Sequence, residues 1–418
     1  MKSTAGSYPV SLAVVIGDKG ASKKQMRDAK KEDNQLPSSV REVLSNNDLL
    51  MEVLLRLPLI SIHLFKSVSR GWLSIITDPH FSVRRSQNLN IDPPTGLLIR
   101  KPQSFIRYEF VPLDTRIPAK KSPLPFTFPF GSNVEILQSC NGLLLCCDKT
   151  KGNTFYVYNP SFNRFRRLPQ VHSNRVNRFS LFDSMKLAFD PVKSFHYKAV
   201  YAEDIHTRFG SSYIQIQTYS SKTGVWRVCE EQFPLHSFIG FYRGTYWNDA
   251  IHWLDTANGA SHFKLDIQDL LLTKIQTPVA MDNEVHYDHK LFVSSGHLIF
   301  ICMVSARCRQ LNVYDMMNGN SGWSLKYVVN LDDVMMLFPT SWILSGDKQF
   351  FCVRCVMLGN REEDPLIVME VFGKVIEYKI MLNTVRKIDD LGSTSTGSSA
   401  MKPSNFDSFE FIASFAGV

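Results

Sequence analysis

GLLLCCDK (Gly142–Lys149) and, a few residues on, YVYNPSFNRFRRLP (Tyr156–Pro169) form one unit: an apolar strand opened by glycine, a second strand, a polar turn and a further apolar stretch. Both halves recur. The opening strand returns as GLLIRK (Gly96–Lys101), MKLAFDP (Met185–Pro191), AIHWLD (Ala250–Asp255), GHLIFICMV (Gly296–Val304) and QFFCVRC (Gln349–Cys355). The strand–turn half returns as IQTYSSKTGVWRV (Ile216–Val228), FKLDIQDLLLTKI (Phe263–Ile275) and LNVYDMMNGNSGWSLKYV (Leu311–Val328). FIRYEFVPLD (Phe105–Asp114) and VIEYKIMLNTVRKI (Val375–Ile388) are weaker copies. Successive units start about 43 to 65 residues apart, the span of a four-stranded propeller blade with loop insertions. Six units predict an all-β domain over residues 95–418, a six-bladed β-propeller, with seven blades as the alternative and a pair of β-sandwiches as the competing fold. Beyond a polar loop at Gly392–Ser399, FDSFEFIASF (Phe406–Phe415) is free to return as the strand that closes the ring on the first blade.

Upstream the periodicity is helical. In SNNDLLMEVLLRLP (Ser45–Pro58), Ser45, Asn46 and Asn47 can accept the unpaired N–H groups of a first turn, with Asp48 in capping-box position after Ser45. Leu49, Leu50, Val53, Leu54 and Leu57 follow at helical spacing, and Pro58 ends the run. A second helix is expected through Ile62, Phe65, Val68, Ser69, Trp72 and Ile75–Ile76, stopping before Asp78-Pro79. Two short helices over residues 45–86 cannot bury both apolar faces on each other, so the leftover surface needs the rest of the chain or a partner. Residues 1–44 are polar and read as a disordered basic tail; Lys23-Lys24 and Lys30-Lys31 leave a nuclear import signal open.

The segment Ser45–Ser86 resembles the F-box, in particular that of plant F-box proteins with a C-terminal F-box-associated, kelch-like domain. The match rests on Asp48–Leu50, LLRLP (Leu54–Pro58), Leu64–Lys66, Val-Ser-Arg-x-Trp (Val68–Trp72) and Asp-Pro-x-Phe (Asp78–Phe81). It departs from the common pattern at Ser45-Asn46-Asn47, where Leu-Pro is usual, and at Gly71. Downstream, SCNGLLLC (Ser139–Cys146), NPSFNRFRRLP (Asn159–Pro169), FDPVKSFHYKAV (Phe189–Val200) and YSSKTGVWRV (Tyr219–Val228) look like hallmarks of the associated domain. The resemblance implies a substrate-recognition subunit of an SCF-type (Skp–cullin–F-box) ubiquitin ligase. Leu49, Leu50, Val53, Leu54, Leu57, Pro58, Leu64 and Phe65 would dock a Skp-type adaptor, and through it cullin and a RING protein, while Val68 and Trp72 hold the helices together. An F-box scaffold acting outside a ligase, and a propeller enzyme or carbohydrate-binding protein, remain the competing functions.

Composition sets the rest. The 418 residues are 44% hydrophobic and 21% charged, with 29 Phe and 14 Tyr, a balance that favours strands in a globular chain. A net charge of +8 without long basic runs reads as solubility rather than nucleic-acid contact. Nothing approaches the apolar length of a membrane span, and eight scattered cysteines in apolar strands suit the reducing cytoplasm or nucleus. No nucleophile elbow, phosphate loop or HExxH helix occurs, so neither catalytic residues nor cofactors are expected. Cys352-x-x-Cys355 reads as two buried strand cysteines facing opposite ways, and His286-Tyr-Asp-His289 as a solvated inter-blade loop, so no metal is expected. Trp226, Trp247, Trp253 and Trp323 read as blade core. For the unknown protein target, the long polar connections His172–Asp183 and His206–Tyr213 are the candidates, with Arg175, Arg178, Phe179, Arg208 and Phe209 as contacts. Whether the two share a face is not decided by sequence.

Overall fold

Short apolar runs between turn residues pair into antiparallel sheets, and the described residues between Gly96 and Phe411 form 24 strands. The computed structural model describes residues 37–418 except 58–60, 63–64, 79, 82–83, 86–93, 101–105, 114–127, 152–153, 172–183, 207–211, 235–240, 242–243, 256–260, 279–286, 304–309, 318, 320–321, 337–350, 360–364, 372, 391–407, 413 and 415. The chain divides into two units, Met1–Leu89 and Asn90–Val418.

The first unit is helical. Helix α1 (Ser38–Ser45) takes up the end of the segment expected to be a disordered tail and runs one residue past it, because Val40, Val43 and Leu44 follow Pro37 at helical spacing. Helix α2 (Asn47–Leu55) follows at once. The expected second helix is interrupted: residues 61, 62 and 65 are helical, Ser69 is extended, and α3 (Arg70–Thr77) starts afresh. Ser69 causes the restart, its Oγ accepting the Trp72 N–H at 3.1 Å.

The second unit is a six-bladed β-propeller. Its first sheet joins β1 (Gly96–Arg100) and β2 (Tyr108–Pro112) to the C-terminal β24 (Ser408–Phe411). The second holds β3 (Val134–Cys140), β4 (Leu143–Asp148), β5 (Thr154–Asn159) and β6 (Arg164–Arg167). The third holds β7 (Met185–Ala188), β8 (Lys198–His206), β9 (Ser212–Ser220) and β10 (Val225–Val228), with β11 (Phe233–Pro234) pairing to β9. The fourth runs β12 (Thr245–Trp247), β13 (Ala250–Leu254), β14 (Ser261–Asp266), β15 (Leu272–Gln276). The fifth runs β16 (Tyr287–Ser294), β17 (His297–Met303), β18 (Gln310–Met316), β19 (Ser324–Asn330). The sixth runs β20 (Phe351–Met357), β21 (Leu366–Val371), β22 (Lys374–Lys379), β23 (Thr384–Asp390).

Strands β24, β3, β7, β12, β16 and β20 touch one another in a closed cycle and are the innermost of their sheets. Outer strands are the exposed ones, such as Arg164–Arg167. Apolar clusters fill the seams between neighbouring sheets: Leu143, Val157, Leu187 and Tyr197 between the second and third, and Ile299, Val313, Val353 and Ile367 between the fifth and sixth. The glycine-opened strand of the sequence repeat is not one structural position. It is the second strand of a blade at β1, β4, β13 and β17 but the first at β7 and β20.

Closure is double. Strand β24 pairs with β1, Leu98 opposite Phe409, and beyond it Ile412, Ser414 and Ala416 are buried as a strap over the second blade. Asn159 Nδ2 donates to the carbonyls of Ser414 (3.2 Å) and Ala416 (2.8 Å), and the Ser414 N–H donates to Ser161 Oγ (3.0 Å).

Candidate functional site

In the helical unit α2 is capped by Asn46, whose Oδ1 accepts the N–H groups of Asp48 (2.9 Å) and Leu49 (3.3 Å). The capping box expected from Ser45 does not form, because α1 runs through Ser45 and its hydroxyl donates back to the Glu42 carbonyl. The two faces of α2 then separate. Leu50, Leu54 and Leu55 are buried, as are Ile62, Ile75, Ile76 and Phe81 on the segments that follow. Leu49 and Val53, four residues apart on one stripe, keep 40% and 45% of their surface, and Leu44 and Leu73 are similarly open. The expected docking set therefore splits. Leu49 and Val53 are presented, Leu57 and Phe65 are half-buried, and Leu50 and Leu54 are corrected to the interior, since a step of one residue turns each about 100° off the exposed stripe. Pro58 and Leu64 lie outside the described residues.

Trp72 packs edge-on against Phe65 with ring centroids 5.1 Å apart, and the Val68 backbone N–H donates to the Phe65 carbonyl at 3.1 Å. Two arginines escaped the sequence reading. Arg85, buried, donates through Nη1 to the carbonyls of Leu55 (3.0 Å) and Leu57 (2.8 Å), tying off the end of α2, and Arg84 pairs with Glu52 beside the exposed stripe. A basic residue some thirty positions beyond a helix end gives no local signal.

On the propeller, strand direction sorts the connections by face. Met185 lies opposite Tyr201, the Ala202 N–H donates to the Ser184 carbonyl at 3.1 Å, and His206 lies opposite Ser212. The strand ends flanking segments 172–183 and 207–211 thus lie at the same end of the third sheet. Arg175, Arg178, Phe179, Arg208 and Phe209 themselves lie outside the described residues. The other end carries tight turns with left-handed residues, Asn141-Gly142, Asn248-Asp249 and Ser295-Gly296, and the strap.

Motifs expected to mark the associated domain act as fasteners of this end. Ser139 Oγ donates to the Glu410 carbonyl (2.6 Å), Asn141 Nδ2 to the Phe189 carbonyl (2.6 Å), and Asn159 holds the strap. Trp247 and Trp253 are buried and Trp226 and Trp323 half-buried against blade clusters, as core residues should be. Cys352 and Cys355 are buried strand residues facing opposite ways: Lys290 on β16 meets the first, and the second donates to Glu410 Oε1 on β24 at 3.3 Å. His289 is corrected from loop to strand β16, where it stacks on Phe300, and His286 lies outside the described residues.

Two histidines in the fourth blade went unread. His252 and His262 are buried with ring centroids 5.3 Å apart, and none of their ring nitrogens has a hydrogen-bond partner; the Trp247 backbone approaches His252 without closing one. Burial, and then the neighbouring His262 and Lys264, hold His252 well below the imidazole range; burial and Lys264 bring His262 down to about 4. Among the described residues no group of three His, Cys, Asp or Glu could hold a metal ion, and no helix is long and apolar enough to cross a membrane.

Residues 46–84 match the F-box domain, and residues 116–410 match the family described as F-box protein At3g26010-like, beta-propeller. F-box protein At5g07610 of Arabidopsis thaliana is 29% identical over 406 residues, covering 91% of this chain and 94% of that protein. F-box protein At5g03970 of the same plant is 32% identical over 205 residues, 46% of this chain and 47% of its own length. Among solved structures, the SapL1 lectin in complex with alpha methyl fucoside aligns at a TM-score of 0.37 with 11% identity, over 75% of this chain and all of that one. A score at that level carries no argument.

Proposed function

This chain belongs to the F-box proteins that carry an At3g26010-like β-propeller, and from that premise we propose that it is the substrate-recognition subunit of an SCF-type ubiquitin ligase. The observation that carries the reading is the pair Leu49 and Val53, left exposed on a helix whose remaining leucines are buried. Apolar side chains held out of a well-filled interior are the anchors of a partner interface. A Skp-type adaptor takes that stripe and brings cullin and a RING protein, and the kelch-like ring takes the target. The protein performs no bond chemistry in this scheme. It raises the effective concentration of the target's lysines at the charged enzyme. Among the described residues, seven cysteines are buried and free, which supports a cytoplasmic or nuclear setting.

For the target, the loop-bearing end of the ring is the proposed surface, supported by the shared end of segments 172–183 and 207–211 and by the fastening of the other end. Changing Arg175, Arg178 and Arg208 together to Glu should weaken target capture and leave adaptor binding intact; undiminished capture at physiological salt moves the surface elsewhere. The function itself is tested by pull-down of the full chain. Recovery of both the Skp-type adaptor and cullin is expected. Adaptor without cullin makes the protein a scaffold outside a ligase, and recovery of neither removes the reading.

A further inference from the structure

At the seam between the fifth and sixth blades an amine meets a thiol. Lys290 leaves β16, the innermost strand of one blade, and its Nζ lies 2.7 Å from Sγ of Cys352 on β20, the innermost strand of the next, while also donating to the Val353 carbonyl at 3.0 Å. Sulfur is larger than oxygen, yet this approach is as close as a short N–H···O bond. The carbonyl fixes the amine there. Most other described thiols are disarmed: burial pushes Cys140 and Cys302 up to about 12 and raises Cys146, Cys147 and Cys355 as well. Cys352 differs in having an amine already against its sulfur and in retaining 8% of its surface, where Cys146, Cys147 and Cys355 retain none.

We propose that Lys290 and Cys352 form an oxidation-driven covalent bridge, Nζ–O–Sγ, that ties the two innermost strands together. Two single bonds of about 1.5 Å meeting at a near-tetrahedral angle span about 2.5 Å. The resting separation therefore already accommodates one oxygen atom. The oxidant is hydrogen peroxide. One equivalent converts the Cys352 thiol to a sulfenic acid and releases water, sulfur losing two electrons. A second equivalent joins the sulfenic oxygen to Nζ: the O–H bond and one N–H bond break, the N–O bond forms, and the peroxide leaves as two waters. The chain gains one oxygen and loses two hydrogens. A thiol reductant reverses both steps.

The test is peptide mapping of the full-length protein after peroxide. The crosslinked pair should appear with that mass change, trypsin should no longer cut after Lys290, and a thiol reductant should restore the cut. Under the same treatment Cys352→Ser should keep the cut and Lys290→Arg should leave Cys352 as an uncrosslinked oxidised thiol. The assignment is overturned if Lys290 is cut normally while Cys352 is sulfenic, sulfinic or untouched. It is overturned equally by a bridge lacking the oxygen, or one joining Cys352 to another residue.

Discussion

Exposure decides which leucines can be tested for docking. Leu54 retains no accessible surface, so Leu54→Asp would unfold the helical unit and lose binding for an uninformative reason. Leu49→Asp with Val53→Asp should instead abolish adaptor capture by about 2 kcal/mol or more per anchor. The circular dichroism should remain that of the parent, and retained capture would remove the docking stripe. Glycines offer a second contrast. Gly224 (φ +75°) has open space around a built Cβ, so Gly224→Ala should cost only the left-handed backbone penalty, about 1 kcal/mol. Gly142 (φ +90°) faces Ser414 Cβ and the Ile412 carbonyl at 2.9 Å, so Gly142→Ala should cost clearly more and lower the protection of the strap in hydrogen exchange. Equal denaturation midpoints for the two variants would mean the strap does not sit there. The glycine that opens this strand was legible in sequence. Its contact with a segment some 270 positions away was not, because nothing local encodes it.

Elements were legible where their periodicity was local and ambiguous where both faces are buried. Strands β4, β7, β13 and β20 are covered on both sides along nearly their whole length, so an apolar run cannot say whether it is first or second in a blade. A finer marker lay unread in the sequence. Tyr158–Asn163, Tyr219–Gly224, Leu265–Leu270, Tyr314–Gly319 and Tyr378–Asn383 share a spacing of five, the second member always left-handed at the turn from a blade's third strand to its fourth. Buried ionisable groups were equally silent, and they give the blades opposed pH dependences. Burial raises the Glu410 carboxyl to about 7, outweighing the Cys355 hydrogen bond that pulls it down. The folded state thus holds a proton that the unfolded state has released, and this stability is present at low pH and lost as pH rises through about 7. His252 and His262 act the other way, since their folded values lie low and stability falls as pH drops from about 6.5 towards 4. Glu410→Gln should therefore make urea stability rise more steeply with pH between about 5 and 7 than it does in the parent. An unchanged slope would show that Glu410 is ionised throughout.

At the scale of the whole molecule, six countable repeats gave the blade number, and the last segment, left over beyond them, was free to serve as the closing strand. The strap and the sorting of connections onto two ends emerge only when strands are paired. Removing residues from 406 onward takes away β24 and the strap together, exposing the edge of β1 and the seam to β20. The shortened chain should melt far below the parent in a thermal scan followed by circular dichroism, and an unchanged melting temperature would place closure elsewhere. The first blade also has a consequence for biosynthesis. Its innermost strand is Ser408–Phe411, separated from Gly96–Arg100 by more than three hundred residues of translation. While the ribosome works through those residues, β1 waits with one edge bare, a template for any passing strand. The nascent propeller is therefore open to mispairing during most of its synthesis, and elongation speed between these two strands sets how long that window lasts.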